Sequence, residues 1–125
     1  MQDPTKKSLR NSLASSFLGK AVKIIIDRPQ GSAHPKYPDM IYPVNYGYIP
    51  NTVSGDGEEL DVYLLGVNEP VTEYEARIIG IIHRKNDNED KLIAAPDGYE
   101  PAKEEIENAV SFQEKYFDSE IEIRS

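Results

Sequence analysis

The sequence predicts a mainly β domain of the α+β class, with one long helix near its end. Five short runs of β-branched or alternating residues recur along the chain, separated by segments rich in Pro, Gly, Asn or Asp. A later stretch carries a sustained helical period. The 125 residues are enough for one core and leave no room for a second domain, so residues 1–125 are expected to form a single unit. Its expected parts are an arm at 1–18, a barrel at 19–100, and a helix with a tail at 101–125.

Leu9, Leu13 and Phe17 recur every fourth residue, which predicts a short amphipathic helix or packing arm over 1–18. KAVKIIID at 20–27 is β-branched and predicts the first strand. RPQGSAHPKYPD follows as a loop, because its prolines and glycine interrupt any ladder. Strands are predicted at 41–48, 60–67, 73–84 and 91–96, with NDNED at 86–90 as the turn between the last two. Residues 101–117 predict the helix. Pro101 opens it, glutamates occupy its first turn, and Ile106, Val110, Gln113 and Phe117 share a face. The tail SEIEIRS alternates as an edge strand would.

Charge and composition exclude several functions. A formal net charge of −8 disfavours binding to nucleic acid or an anionic membrane. The mean hydropathy is −0.58, and no apolar run approaches the ~20 residues that span a bilayer. The first residues, MQDPTKKSLRNSLASSF, show no secretory apolar stretch, so the expected location is cytoplasmic. The absence of cysteine removes disulfide and thiol chemistry.

Four carboxylates, Asp56, Glu58, Glu59 and Asp61, stand directly downstream of the aromatic run YPVNYGYIP at 42–50. Crowded acids disfavour each other's ionisation unless water or a divalent cation compensates them. Gly55 and Gly57 allow the sharp turn that converging side chains need. Hard oxygen donors suit Mg2+, Mn2+ or Ca2+ rather than zinc or copper. The spacing is not that of an EF-hand. The plain alternative is a solvated acidic hairpin turn.

The window Tyr42–Leu65 closely resembles the signature region of the soluble family I inorganic pyrophosphatases, in which a Tyr-Pro-x-Asn-Tyr-Gly-Tyr strand leads to an Asp-Gly-Asp-x-x-Asp turn. Weaker resemblance extends over residues 22–117. It implies an OB-like five-stranded barrel with a C-terminal helix, in which the acidic strands line one mouth. It also implies metal-dependent hydrolysis of pyrophosphate by a water activated on Mg2+ or Mn2+.

By the same resemblance, Asp56 and Asp61 are bridging metal ligands. Glu58 takes the place of the general base, one methylene longer than the Asp expected there, and Tyr46 hydrogen-bonds beside the metals. Asp27 stands where an acid approaches the metals, and Lys36 where a lysine binds phosphate. Glu59 is expected to face solvent, and Tyr42 and Tyr48 to pack in the core and at the barrel mouth. Asp87, Glu89 and Asp90 resemble the Asp-rich turn that completes the metal set. The choice between Glu89 and Asp90 stays open, and Asn86 competes with Asp87. Lys91 and Tyr116 match phosphate-binding residues.

The departures from the family pattern fall on the phosphate side. Only Tyr37-Pro38-Asp39-Met40-Ile41 joins Lys36 to Tyr42, where the family carries a longer stretch with a glutamate and a phosphate-binding arginine. Phe117 replaces a lysine expected after Tyr116, with Lys115 nearby. Arg28, His34 and Arg84 are candidates to restore positive charge. The leading partner is therefore pyrophosphate or another small diphosphate, with homo-oligomerisation open. Two alternatives stand beside it, a hydrolase of a larger organic diphosphate and a non-catalytic metal- or phosphate-binding relative.

Overall fold

Each of the first five strands finds at least two neighbours, so the sheet closes on itself. The structure, a computed structural model, describes residues 14–52, 59–85 and 90–123. The elements are β1 (Ala21–Arg28), β2 (Asn45–Ile49), β3 (Leu60–Leu64), β4 (Glu73–Arg84), β5 (Asp90–Ala95), helix α1 (Lys103–Glu114) and β6 (Ser119–Ile123). The order is β1-β2-β3-β5-β4-β6, and an additional β1–β4 pairing closes five strands into a barrel. This is the OB-like, mainly β architecture expected, with β6 added to β4 outside the closure.

One pairing is parallel among otherwise antiparallel ones. β3 and β5 run parallel, Val62 opposite Leu92 and Leu64 opposite Ala94. The cause is that β4 does not return beside β3. It pairs antiparallel with β1 and β5, so β5 comes back in the direction of β3. β4 bends to serve both partners, pairing with β1 at Glu73–Arg77 and with β6 at Gly80–Arg84. A register shift between Ile78 and Gly80 marks the bend. A side chain at Gly80 would press within 3.0 Å of the Glu122 carbonyl on β6.

Alternation along the strands divides the apolar residues into two cores. Ile24, Ile26, Ile49, Leu60, Val62, Leu64, Ile78, Ile81 and Leu92 fill the barrel, with Phe17 and Leu18 packed against them. Tyr63, Leu65, Ile82 and Ile93 face outward and are covered by Ile106 and Val110 of α1. Burying these aliphatic side chains stabilises the fold by about 1.5–3 kcal/mol each.

The boundaries correct three expectations. β2 begins at Asn45 rather than 41, because Pro43 lacks a ladder donor and Ile41 bridges to Ala33 instead. β3 ends at Leu64 rather than 67, since Gly66 takes a left-handed φ of 83°. α1 stops at Glu114, so Phe117 lies beyond the helix, and Ile106, Val110 and Glu114 are its buried residues. Most of the expected arm, residues 1–13, lies outside the described residues; Ala14 and Ser15 are helical.

Candidate functional site

Asp61 follows the buried Leu60 on β3, so the pleat turns it outward, to the side that carries Tyr63 and the helix. Lys91 is turned the same way on β5, and its ammonium donates to Asp61 Oδ2 at 2.5 Å. The lysine side chain is 5% exposed and the aspartate 29%. The pair forms the floor of a site on the outer surface of the barrel. Lys91 Nζ also lies 5.9 Å from the centroid of the Tyr46 ring.

Tyr46 sits at the centre of an aromatic stack. Its ring centroid is 4.9 Å from Tyr63 and 5.6 Å from Tyr42. Burial raises the Tyr46 phenol well above its ordinary pKa, and the charge and hydrogen bonding of Asp61 raise it further, while Arg84 opposes. The phenol therefore stays protonated and donates beside the carboxylate. Asp27 comes to the same neighbourhood from β1. The protein wall withdraws water from its carboxyl and raises its pKa, Arg28 opposes this, and Asp61 adds to it.

A chain of hydrogen bonds runs behind the stack. Tyr42 Oη donates to Gln113 Oε1 at 3.2 Å, Gln113 Nε2 donates to Tyr63 Oη at 2.6 Å, and Tyr63 Oη donates to Glu114 Oε2 at 2.6 Å. Arg84 closes the chain on Glu114, Nε to Oε1 at 3.0 Å and Nη2 to Oε2 at 2.6 Å. Its guanidinium carbon lies 3.7 Å from the Phe117 centroid. Burial pushes the Glu114 carboxyl up, but Arg84, Tyr63 and Ser119 together hold it below the usual carboxylate range. Burial, reinforced by the Glu114 charge, raises the Tyr63 phenol far above its ordinary value.

The structure thus brings together Asp27, Tyr46, Asp61 and Lys91. Asp90 is turned to the other side of β5, where His83 Nδ1 lies 3.3 Å from its Oδ1 and Glu122 meets His83 Nε2 at 2.9 Å. Lys36 is exposed, with its ammonium 5.7 Å from the Tyr37 centroid. Tyr116 is 64% exposed, and Lys115 lies over its ring. Glu59 is exposed, as expected. Tyr42 is 2% exposed and packs beneath the site. Asp56, Glu58, Asp87 and Glu89 lie outside the described residues. Thr52 Oγ1 accepts from the Leu60 amide at 3.0 Å, which fixes the ends of β2 and β3 beside Asp61.

Sequence reasoning missed Tyr63, Gln113 and Glu114. The one available signal was a glutamate interrupting the apolar face of α1. Of the cations considered, Arg84 is committed to Glu114. His34 uses Nδ1 to accept the amides of Lys36 and Tyr37 at 3.0 and 3.2 Å.

A divalent cation fits this face by donor chemistry. Asp27 and Asp61 offer hard oxygens; burial is the main cause of the raised Asp27 pKa, and the Asp61 charge adds a smaller push in the same direction. Among the described residues, no three His, Cys, Asp or Glu side chains converge tightly enough to enclose an ion.

A family model of inorganic pyrophosphatases matches residues 18–122. The inorganic pyrophosphatase of Saccharolobus solfataricus is 50% identical over 64 residues, covering 48% of this chain and 37% of that protein. The one from Xylella fastidiosa (strain 9a5c) is 31% identical over 103 residues, covering 66% and 58%. The chain therefore spans less than two thirds of the length of these curated relatives. The crystal structure of inorganic pyrophosphatase from Ehrlichia chaffeensis shares the fold, with a TM-score of 0.67 at 23% identity over 85% of this chain and 87% of that one. By sequence and fold, the chain belongs to the inorganic pyrophosphatase family.

Proposed function

We propose that the chain hydrolyses inorganic pyrophosphate to two phosphates with the help of Mg2+ or Mn2+. The observation that carries this reading is the Asp61–Lys91 pair, set beside Tyr46 and Asp27 on one outward face. An acid and a cation side by side suit a metal-bound polyanion, because one receives the metal and the other the phosphoryl oxygens.

Asp27, Asp56 and Asp61 would hold the cation, with Asp87 and Glu89 from the segment between β4 and β5. When bound, the metal neutralises phosphate charge and lowers the pKa of a coordinated water towards neutrality. The residues of the chain supply the rest. Lys91 binds and orients the diphosphate, with Lys36 and Tyr116 at the rim. Tyr46 donates a hydrogen bond beside Asp61, and Glu58 accepts the proton from the attacking water. As the water oxygen bonds to phosphorus, the bridging P–O bond breaks and the second phosphate leaves. Asp90, turned towards His83, is assigned to support β5 rather than to ligate.

The expected setting is cytoplasmic. No helix among the described residues is long and apolar enough to cross a membrane. Phosphate release from pyrophosphate at saturating Mg2+ tests the role of Lys91. Lys91→Met should raise KM by about tenfold or more, the effect of losing one charge-assisted hydrogen bond. An unchanged KM would remove Lys91 from the substrate site.

A further inference from the structure

β1 carries one residue more than β2 at the edge of the site. Ile25 pairs with Tyr48 and Ile26 with Gly47, but the next pair is Arg28 with Tyr46, so Asp27 and Arg28 both oppose Tyr46. In an unbroken ladder Arg28 would oppose Asn45 and take the orientation of Ile26, towards the barrel interior. The bulge re-aims it to the Tyr46 face. Gly47 permits this close approach, since a Cβ there would lie 1.8 Å from the Ile25 carbonyl oxygen.

Arg28 is held differently from the other described arginines. Arg77 Nε bonds Asp97 at 2.8 Å, and Arg84 grips Glu114 with two nitrogens. Arg28 Nη1 reaches the Asp27 carbonyl at 3.2 Å, whereas the Asp27 carboxylate is 3.7 Å away, beyond a hydrogen bond. Its side chain is 34% exposed. The guanidinium therefore stands at the rim of the site, and its influence reaches the Tyr42 phenol.

We propose that Arg28 is a substrate-binding residue, delivered by the β1 bulge to contact the phosphoryl oxygens of a bound diphosphate from the Tyr42 side. The inference rests on the diphosphate reading of the site. A planar guanidinium presents paired donors that match phosphate oxygens, which a lysine ammonium does only as a point charge. The short Lys36–Tyr42 connection carries no arginine, so this cation fills a need the chain does not meet there.

Arg28→Gln and Arg28→Lys in the full chain test the proposal with two readouts. One is KM and kcat for pyrophosphate at saturating Mg2+. The other is the rise in melting temperature that inorganic phosphate gives the Mg2+-loaded protein. Arg28→Gln should raise KM about tenfold more than it lowers kcat and abolish the phosphate-induced rise, with Arg28→Lys intermediate. If wild type shows no turnover but its phosphate-induced rise is lost in Arg28→Gln, the Arg28 contact stands and the hydrolase reading falls. Wild-type KM and phosphate response in both variants would overturn the proposal, as would a wild type that responds to neither ligand.

Discussion

Arg84 and Glu114 meet through two hydrogen bonds of 3.0 and 2.6 Å, with only 5% and 7% of their side chains exposed. Thirty residues separate them in sequence, as Arg84 ends β4 and Glu114 ends α1. Burying two ions costs several kcal/mol each before their attraction repays it, so such a pair adds little net stability. Its geometry does more, fixing Tyr63 and, through Gln113, the hydroxyl of Tyr42 behind the site.

Breaking that pair from one side should be costly. Arg84→Met leaves a buried carboxylate uncompensated and is expected to lower unfolding stability by about 3–5 kcal/mol. The double change Arg84→Met with Glu114→Leu should recover most of the loss, because no charge is then stranded. Urea denaturation of both proteins checks this. A double variant as unstable as the single one would show that packing, not charge, governs the site.

The same carboxylate sets an acid limit. The folded pKa of Glu114 is held below its ordinary value of 4.5. The resulting stability is present above that pH and is lost as pH falls through the folded pKa. Melting temperatures between pH 5 and pH 3 should fall, and Glu114→Gln should show a shallower slope at a lower starting stability. An identical slope in the variant would assign the acid limit to other groups.

Asn45 should matter as much as any ionised residue. It is fully buried, its Oδ1 accepting from the amides of Gln30 and Val71 and its Nδ2 donating to the carbonyls of Val67 and Glu69. Asn45→Ala strands these backbone groups and should cost at least about 2 kcal/mol. Hydrogen exchange should show the amides of Gln30 and Val71 losing protection; retained protection would mean that water replaces the side chain.

Gly47→Ala should be among the most damaging small substitutions. The added methyl collides with backbone rather than with a side chain that could move. The β1–β2 pairing must open, at a cost near the upper end of overpacking, about 3 kcal/mol. Thermal denaturation gives the cost, and amide exchange at the Ile25–Tyr48 pair across β1 and β2 locates it. Wild-type values in both would show that the two strands separate freely here.

The sequence revealed the strands where β-branched runs dominate, at KAVKIIID and EARIIGII, because a pleated half-buried surface selects those residues. It revealed α1 through Ile106 and Val110. Asp61 and Lys91 were legible as chemistry because they stand in a recognisable pattern. Their contact was not, because it depends on the parallel β3–β5 pairing, which no local period encodes. The β1 bulge was hidden too, since the extra residue is defined only against β2. Asp90 shows the limit most plainly. It neighbours Lys91 in sequence, yet the pleat sends it to His83 on the other side of β5.

Phosphate release from pyrophosphate by the purified chain with and without Mg2+, set against Asp61→Asn, tests whether this face is a metal-dependent hydrolytic site. Turnover should require the metal and fall at least about 100-fold in the variant, a loss in the range that misplacing the reacting groups produces. Turnover that survives Asp61→Asn, or wild-type protein that releases no phosphate with either Mg2+ or Mn2+, would contradict that reading.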